Sequence, residues 1–243
     1  MKALIFNSGT GSRMGHLTKE CPKGLLKLPS GESIFSRQLR ILAECGIREV
    51  IVTTGKYGQE LMAEGEKHPM LHITYVNNPL YESTNYIYSM YLAGEHLHDD
   101  ILMLHGDLVF EKQLLLKLIE DERESLCLIN KQADKPQKDF KGRVVEERLT
   151  EVSVHIFDEN CYALQPLYKL SRDCMDKWRK EVALLVSQGR CNIYAEDAFN
   201  RIAAQTDIRL LSYEDYYITE IDTPKDYASV LENIIFYDEQ HSL

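Results

Sequence analysis

The sequence predicts an α/β fold built on a mostly parallel central sheet. Short apolar runs alternate with helix-like stretches from the first residue, at the spacing of βαβ units, and a glycine-rich turn follows the first run directly. The chain has 243 residues, 44% of them apolar and 27% charged, enough for one large α/β domain or two small ones. Its 13 Gly and 7 Pro are too few for a collagen-like or low-complexity chain.

Each element has its own signal. Lys2–Phe6 is brief and apolar after Lys2, which predicts a buried strand ending at Asn7-Ser8-Gly9. Ser33–Cys45 sets Ile34, Leu39, Ile41 and Leu42 at helical spacing, and Gly46 stands where a helix-ending glycine belongs. Glu49–Thr54 is β-branched and strand-like, Tyr57–Lys67 helical, and Leu71–Val76 a strand stopping at Asn77-Asn78-Pro79. Ser83–His96 carries Ile87, Met90, Tyr91 and Ala93 in a helical pattern. Ile101–Leu104 is an apolar strand ending at His105-Gly106-Asp107, followed by a helix over Glu111–Glu122 and a strand over Ser125–Ile129. The texture changes after Asn130. Gln132–Gly142 is polar and lysine-rich, and Val144–Val154 predicts a β-hairpin turning near Glu147-Arg148. A long helix over Tyr168–Ser187, a shorter one over Glu196–Ala204 and a strand over Arg209–Tyr213 follow. Pro224–Phe236 closes the chain as a helix with Pro in its first turn.

Charge narrows the range of partners. Lys plus Arg number 28 against 38 Asp plus Glu, a formal charge of -10, so phosphate backbones and anionic membranes are repelled and neither is an expected partner. No window approaches the about 18 uncharged apolar residues of a membrane helix, and Met1–Phe6 is too short for the apolar core of a signal peptide. The six cysteines (21, 45, 127, 161, 174 and 191) contain no Cys-x-x-Cys pair, which fits reduced thiols in a cytoplasm.

The first strand runs into Asn7-Ser8-Gly9-Thr10-Gly11-Ser12-Arg13-Met14-Gly15. In such a turn the backbone N–H groups of Ser8, Gly9, Thr10 and Gly11 close on phosphate oxygens. The dinucleotide pattern fails here: Met14 stands where it needs Gly or Ala, and Thr53-Thr54-Gly55 where it wants an acid. The P-loop fails too, for lack of Gly-Lys-Ser/Thr. What remains is Gly9-x-Gly11-x-Arg13, then Pro22-Lys23 and Leu25-Leu26. Arg13 can fork two phosphoryl oxygens and Lys23 can bring a mobile point charge. The plainer alternative is an exposed loop with two surface cations.

This opening resembles the signature of nucleotidyltransferases that activate phosphorylated sugars and alcohols with an NTP, whose fold is a Rossmann-like domain of the GT-A type. The resemblance extends to Asn78-Pro79, to Thr84-Asn85-Tyr86-Ile87-Tyr88-Ser89-Met90 and to Glu220-Ile221-Asp222. The middle segment is similar to the bacterial cytidylyltransferase branch that makes CDP-choline and related CDP-alcohols or CDP-phosphonates. The likeness covers most of residues 1–130 and returns near 218–232; residues 131–215 match only in outline. One departure is Asn7-Ser8, where the family usually has two alanines.

The resemblance implies one domain over residues 1–243: a nucleotide-binding half (1–130), an acceptor-binding region with a small inserted β-hairpin and helices (131–215), and a closing segment (216–243). It implies transfer of CMP from CTP to a small phosphorylated or phosphonate acceptor such as phosphocholine, phosphoethanolamine or 2-aminoethylphosphonate. Arg13 and Lys23 would be catalytic, and Asp107 and Asp222 would hold Mg²⁺. Asp107 also reads as a cap for the next helix and Asp222 as an N-cap. Asn78, Asn85 and Ser89 would meet base and ribose, Asn85 and Ser89 being four apart on one helix face; the bland reading of Ser89 is a surface hydroxyl. Lys135, Lys138 and Lys141 crowd the insertion, and Lys141 is chosen for the acceptor's phosphate. Glu196 and Asp197, near Tyr194, would face its cationic amine, unless they are the acids usual at a helix start. Tyr86, Tyr88 and Tyr91 read as packing. A homodimer is compatible with this picture. Two alternatives stand beside it: a sugar-1-phosphate nucleotidyltransferase, and a catalytically inactive nucleotide-binding regulatory module.

Overall fold

The computed structural model describes residues 1–135 and 137–240; Pro136, within the polar stretch, and residues 241–243, at the end of the closing segment, lie outside it. The chain opens with β1 (Lys2–Asn7), α1 (Ile34–Glu44), β2 (Glu49–Thr54), α2 (Gly58–Gly65) and β3 (His72–Asn77). Then come α3 (Tyr86–Ala93), β4 (Ile101–His105), the short β5 (Leu108–Phe110), α4 (Lys112–Glu120) and β6 (Leu126–Asn130). Strand β1 pairs in parallel with β2 on one side and β4 on the other, and helices cover both faces, which is why it is apolar throughout rather than alternating. Ser33 starts α1 by accepting a hydrogen bond from the Ser36 N–H at 3.0 Å.

The second half departs from expectation in one main respect. After the hairpin of β7 (Lys141–Val145) and β8 (Arg148–Ser153), residues Cys161–Leu170 form a long strand, β9, and only then does α5 (Arg172–Ser187) begin. The predicted helix over Tyr168–Ser187 therefore loses its first turn to a strand. Ser171 caps the true helix, its hydroxyl accepting from the Cys174 N–H. Strand β9 lies between β4 and β6, antiparallel to both. A proline is a poor central-strand residue, and Pro166 is accommodated because the β6–β9 register shifts opposite it, between Cys127 and Leu128. The chain ends with α6 (Ala195–Ile202), β10 (Arg209–Ser212), β11 (Ile218–Glu220) and α7 (Pro224–Gln240).

Among the described residues the main sheet has nine strands in the order β3-β2-β1-β4-β9-β6-β10-β8-β7. The parallel arrangement holds for β3, β2, β1 and β4 and for the β6–β10 pair; β9 and the hairpin make the rest antiparallel. The hairpin joins this sheet rather than standing apart, and it turns at Glu146-Glu147, both at positive φ (52° and 58°), one residue before the expected place. A separate ribbon pairs β5 with β11.

Two apolar layers enclose the sheet. One contains Leu39, Leu61 and Leu115 from α1, α2 and α4; the other contains Ile87, Met90, Trp178 and Phe199 from α3, α5 and α6. A third cluster, with Met14, Leu26, Val109, Ile221 and Val230, ties the glycine-rich loop and the β5–β11 ribbon to α7. Trp178 is fully buried between Tyr168 and Phe199, and its indole N–H donates to the Ala195 carbonyl at 2.8 Å. Trp178→Ala should cost about 3–5 kcal/mol of stability. Urea unfolding followed by circular dichroism will check this, because Trp178 is the sole tryptophan and fluorescence would be lost with it.

Candidate active site

The site is assembled where β1 and β4 end. Beyond β1 the chain turns through Gly11 at φ 64°, where a Cβ would press within 3.3 Å of the Thr18 and Lys23 side chains, so the turn and these neighbours fit only glycine well. The Thr18 hydroxyl donates to the Gly11 carbonyl at 2.8 Å and braces the loop from below. Ser8 and Ser89 share a hydroxyl–hydroxyl bond of 2.7 Å, which fastens the loop to α3. Ser8, Gly9, Thr10, Gly11 and Arg13 all line one cleft of about 520 Å³, a volume in the range of small-molecule sites.

Two acidic segments reach this cleft because β5 pairs with β11. Leu108 lies opposite Glu220, and the Ile221 N–H donates to the Asp107 carbonyl at 3.1 Å. The ribbon thereby brings Asp107 and Asp222 to one ammonium. Lys23 Nζ lies 2.8 Å from Asp107 Oδ2 and 2.6 Å from Asp222 Oδ1, and Arg13 reaches the same Asp222 oxygen at 2.7 Å. Burial opposes the charge on Lys23, but the two carboxylates outweigh it and raise its pKa. Burial likewise works against the charge on Asp107, yet Lys23 and His105 hold its carboxyl below the usual value.

Neither aspartate caps a helix. Helix α4 begins beyond Glu111. At the start of α7, Asp226 accepts from the Thr223 N–H and hydroxyl at 2.7 and 2.9 Å, and its own N–H donates back to the Thr223 hydroxyl, so Thr223 takes the capping role expected of Asp222.

Sequence reasoning gave no role to two neighbours. His105 and Glu220, the last residues of β4 and β11, each stand two residues before an aspartate. His105 Nδ1 and Glu220 Oε1 are 3.1 Å apart. Burial disfavours the imidazolium, but the bond to Glu220 and the fields of Glu220 and Asp107 prevail and hold the His105 pKa at about 9. Burial pushes the Glu220 carboxyl up, against the pull of His105. One ligand atom from each of His105, Asp107 and Glu220 lies within 4.8 Å of the others. Carboxylate oxygens are hard donors, and with Asp222 beside them the set fits a divalent cation such as Mg²⁺.

The structure corrects several of the remaining expectations. Asn78 lines the cleft as expected, but it is buried and its side chain is engaged within the protein: Oδ1 accepts from the Leu80 N–H at 2.8 Å, and Nδ2 donates to the Thr84 and Ser89 hydroxyls at 3.1 and 3.0 Å. Ser89, also buried, completes this brace rather than facing a ligand. Asn85 does line the cleft, but as the cap of α3, accepting from the Tyr86 N–H at 2.8 Å; it precedes the helix, so the face shared with Ser89 does not form. Tyr81, Glu82 and Thr84 line the same wall. Tyr81 can approach because residue 55 is glycine, where a Cβ would lie 2.9 Å from its ring.

Lys141 is fully buried at the start of β7, outside the cleft, and its ammonium donates to the carbonyls of Asp139 and Val154 at 2.8 and 2.7 Å. Its neighbour Lys138 lines the cleft, while Lys135 donates to the Asp158 carbonyl at 2.9 Å. Glu196 and Asp197 do not reach the cleft either. Asp197 closes a capping box, accepting from the Tyr194 N–H at 2.9 Å. Glu196 is buried and accepts from the hydroxyls of Tyr86 and, at 3.2 Å, Tyr168; burial pushes its carboxyl up.

What the cleft contains instead is a group of rings. Tyr86, expected to be packing, lines the cleft with Phe6, His105, Phe140 and Tyr194. Its ring centroid lies 5.0 Å from Phe6, 4.9 Å from His105 and 5.9 Å from Tyr194, and Phe140 meets Tyr194 at 5.1 Å. Tyr88 and Tyr91 stack on each other elsewhere on α3. This group unites residues far apart in the chain, so no local pattern announces it.

Residues 3–198 match the MobA-like NTP transferase domain. The CMP-5'-(3-aminopropyl)phosphonate synthase of Streptomyces rubellomurinus is 33% identical over 147 residues, 60% of this chain and 22% of that protein. The choline-phosphate cytidylyltransferase of Streptococcus pneumoniae is 28% identical over 111 residues, 46% of this chain and 47% of that protein. The match thus spans less than half the length of these curated relatives. The solved structure of CTP:phosphocholine cytidylyltransferase from Streptococcus pneumoniae superposes with a TM-score of 0.80 at 20% identity, covering 96% of this chain and 98% of that one, a likeness of fold. Among the described residues no helix is long and apolar enough to cross a membrane.

Proposed function

The chain belongs to the MobA-like NTP transferase domain family, and from that premise we propose that it transfers CMP from CTP to a small phosphorylated or phosphonate acceptor carrying a cationic amine, releasing pyrophosphate. The observation that carries this reading is the convergence of Arg13 and Lys23 with Asp107 and Asp222 beside a glycine-rich turn.

The chemistry follows from charge. An anionic acceptor oxygen attacks the α-phosphorus of CTP, a new P–O bond forms, and the bond to the pyrophosphate oxygen breaks with its electron pair leaving on pyrophosphate. The nucleophile is already ionised at neutral pH, so the barrier is repulsion and alignment rather than deprotonation. Arg13 and Lys23 exchange carboxylate oxygens for phosphoryl oxygens, Arg13 as a fork and Lys23 as a point charge, and stabilise the charge that gathers on the leaving group. Asp107, Asp222 and Glu220 would hold Mg²⁺, which supplies positive charge to the phosphate oxygens. His105, bonded to Glu220, keeps that carboxylate oriented.

The aromatic group supports the acceptor class. Ring faces attract cations, and Tyr86, Phe140 and Tyr194 line the same cleft as the acids Asp139, Glu220 and Asp222. Glu196 fixes the Tyr86 hydroxyl from behind. Lys138, which lines the cleft, would meet the acceptor's phosphate, the task first given to Lys141. The names of the cytidylyltransferase relatives support CTP as donor.

Pyrophosphate release measured with Mg²⁺, each of the four common NTPs and a panel of phospho-amines, phosphonates and sugar-1-phosphates should occur with CTP and an amine-bearing acceptor. Release only with a sugar phosphate would transfer the protein to the sugar-nucleotide branch, and CTP binding without turnover on any acceptor would favour a regulatory module. Lys23→Ala and Asp107→Ala should each lower kcat by about 10²–10³-fold, as loss of preorganised charge does, with unchanged circular dichroism; near-wild-type rates in either would sink the mechanism. Tyr194→Ala should raise KM for the acceptor by about 3–30-fold, the range of a cation–π contact, while KM for CTP stays nearly constant in initial-rate measurements.

A further inference from the structure

Asn7 ends β1 at the point where the phosphate loop begins, and it replaces an alanine of the resembled family. Its side chain is 8% exposed. A Cβ added to Gly106 would lie 2.2 Å from Asn7 Oδ1 and 2.7 Å from Nδ2; one added to Gly24 would lie 2.6 Å from the same Oδ1. The amide therefore fills the gap between two backbones. One of them carries Lys23 immediately before Gly24, and the other carries Asp107 immediately after Gly106.

Hydrogen bonding does not explain this side chain. Asn7 Nδ2 is enclosed and has no partner among the described residues. A buried amide with an unsatisfied donor lowers stability relative to an apolar group, so stability alone favours alanine here. What the amide does supply is bulk at one place. The Asp107 segment is itself held in place, since Gln38 Nε2 donates to the carbonyls of His105 and Leu108 at 3.0 and 2.8 Å, and the Gly106 N–H donates to the Phe6 carbonyl at 3.0 Å. With that segment fixed, the side chain at position 7 decides how closely the Lys23 segment approaches.

We propose that Asn7 is a positioning residue: its amide is the spacer that sets the separation of the backbone segments carrying Lys23 and Asp107. The proposal rests on the reading of this cleft as a nucleotidyl-transfer site. Lys23 Nζ already touches both carboxylates, at 2.8 and 2.6 Å, so removing the spacer shifts the backbone that carries Lys23 rather than shortening the ion pair, and the ammonium then meets the phosphoryl oxygens from a displaced position. Rates fall steeply when reacting groups are displaced by about 1 Å.

The test is a set of substitutions read by kinetics and by thermal unfolding. Asn7→Ala should lower kcat by about tenfold or more, with a smaller change in KM for CTP and no fall in Tm. Asn7→Leu, which keeps the branched shape and has no hydrogen-bonding group, should restore most of the lost kcat. An undiminished kcat in Asn7→Ala overturns the proposal. So does a Leu variant as slow as the Ala variant, since amide chemistry rather than bulk would then be at work. Gly24→Ala should lower Tm in the wild-type background and much less in the Asn7→Ala background; equal losses in both would show that nothing is wedged there. This unfolding cycle is independent of turnover. If wild-type protein released no pyrophosphate from any NTP, the reading of the site would fall, while the cycle would still decide whether Asn7 spaces the two segments.

Discussion

The pairing of β5 with β11 is the constraint on which the site depends. It joins residues 108–110 to residues 218–220, and through it Asp107 meets Asp222 and His105 meets Glu220. A two-stranded ribbon this short has no stability of its own. It is held by Val109 and Ile221, which pack with Met14, Leu26 and Val230, and by backbone and side-chain bonds between Glu111 and Tyr217. The same apolar cluster seats the glycine-rich loop. The loop that presents Arg13, the turn that presents Asp107 and the helix that follows Asp222 are therefore fastened by one body of buried side chains.

Around that cluster the cleft has two chemically different walls. On the loop side, serine and asparagine side chains bond to one another and stiffen the turn: Ser8, Asn78, Thr84 and Ser89 form a continuous hydrogen-bonded chain. Elsewhere in the cleft rings meet rings, and Glu196 accepts from the hydroxyls of Tyr86 and Tyr168. A polar brace under the glycine-rich turn and a group of rings in the same cleft suit a ligand pair with one highly charged and one partly apolar member.

Much of this was legible in the sequence, and what was not has physical reasons. Strands β1, β2 and β4 were visible because parallel strands buried on both faces are short apolar runs, and the edge strand β3 because β-branched residues lead into the turn at Asn77-Asn78-Pro79. Arg13, Lys23, Asp107 and Asp222 stood out because they follow strand ends and a glycine-rich turn. Strand β9 was hidden: it contains Pro166, lacks alternation and runs directly into α5, so its last residues were absorbed into the helix. The burial of Lys141 depends on two carbonyls that only the folded hairpin brings to its ammonium, and Glu196 finds its tyrosines in two other elements. Asn78 and Ser89 are expected from the sequence to meet base and ribose, and only the tertiary structure shows them bonded to each other.

Strand β9 also has a consequence for the order in which the molecule can be completed during synthesis. Its ten residues separate β4 from β6, although in the chain they come after both. A nascent chain that has emerged only as far as residue 160 has β1 to β4 in hand, yet the outer edge of β4 has no partner, and Leu102 and Leu104 lie on a strand with open N–H and C=O groups. Such an edge is a template for pairing with other chains. The amino-terminal half is thus complete in sequence long before it is closed in space, and the chain carries an exposed apolar edge through the synthesis of some sixty further residues, a span set by the distance from β4 to β9.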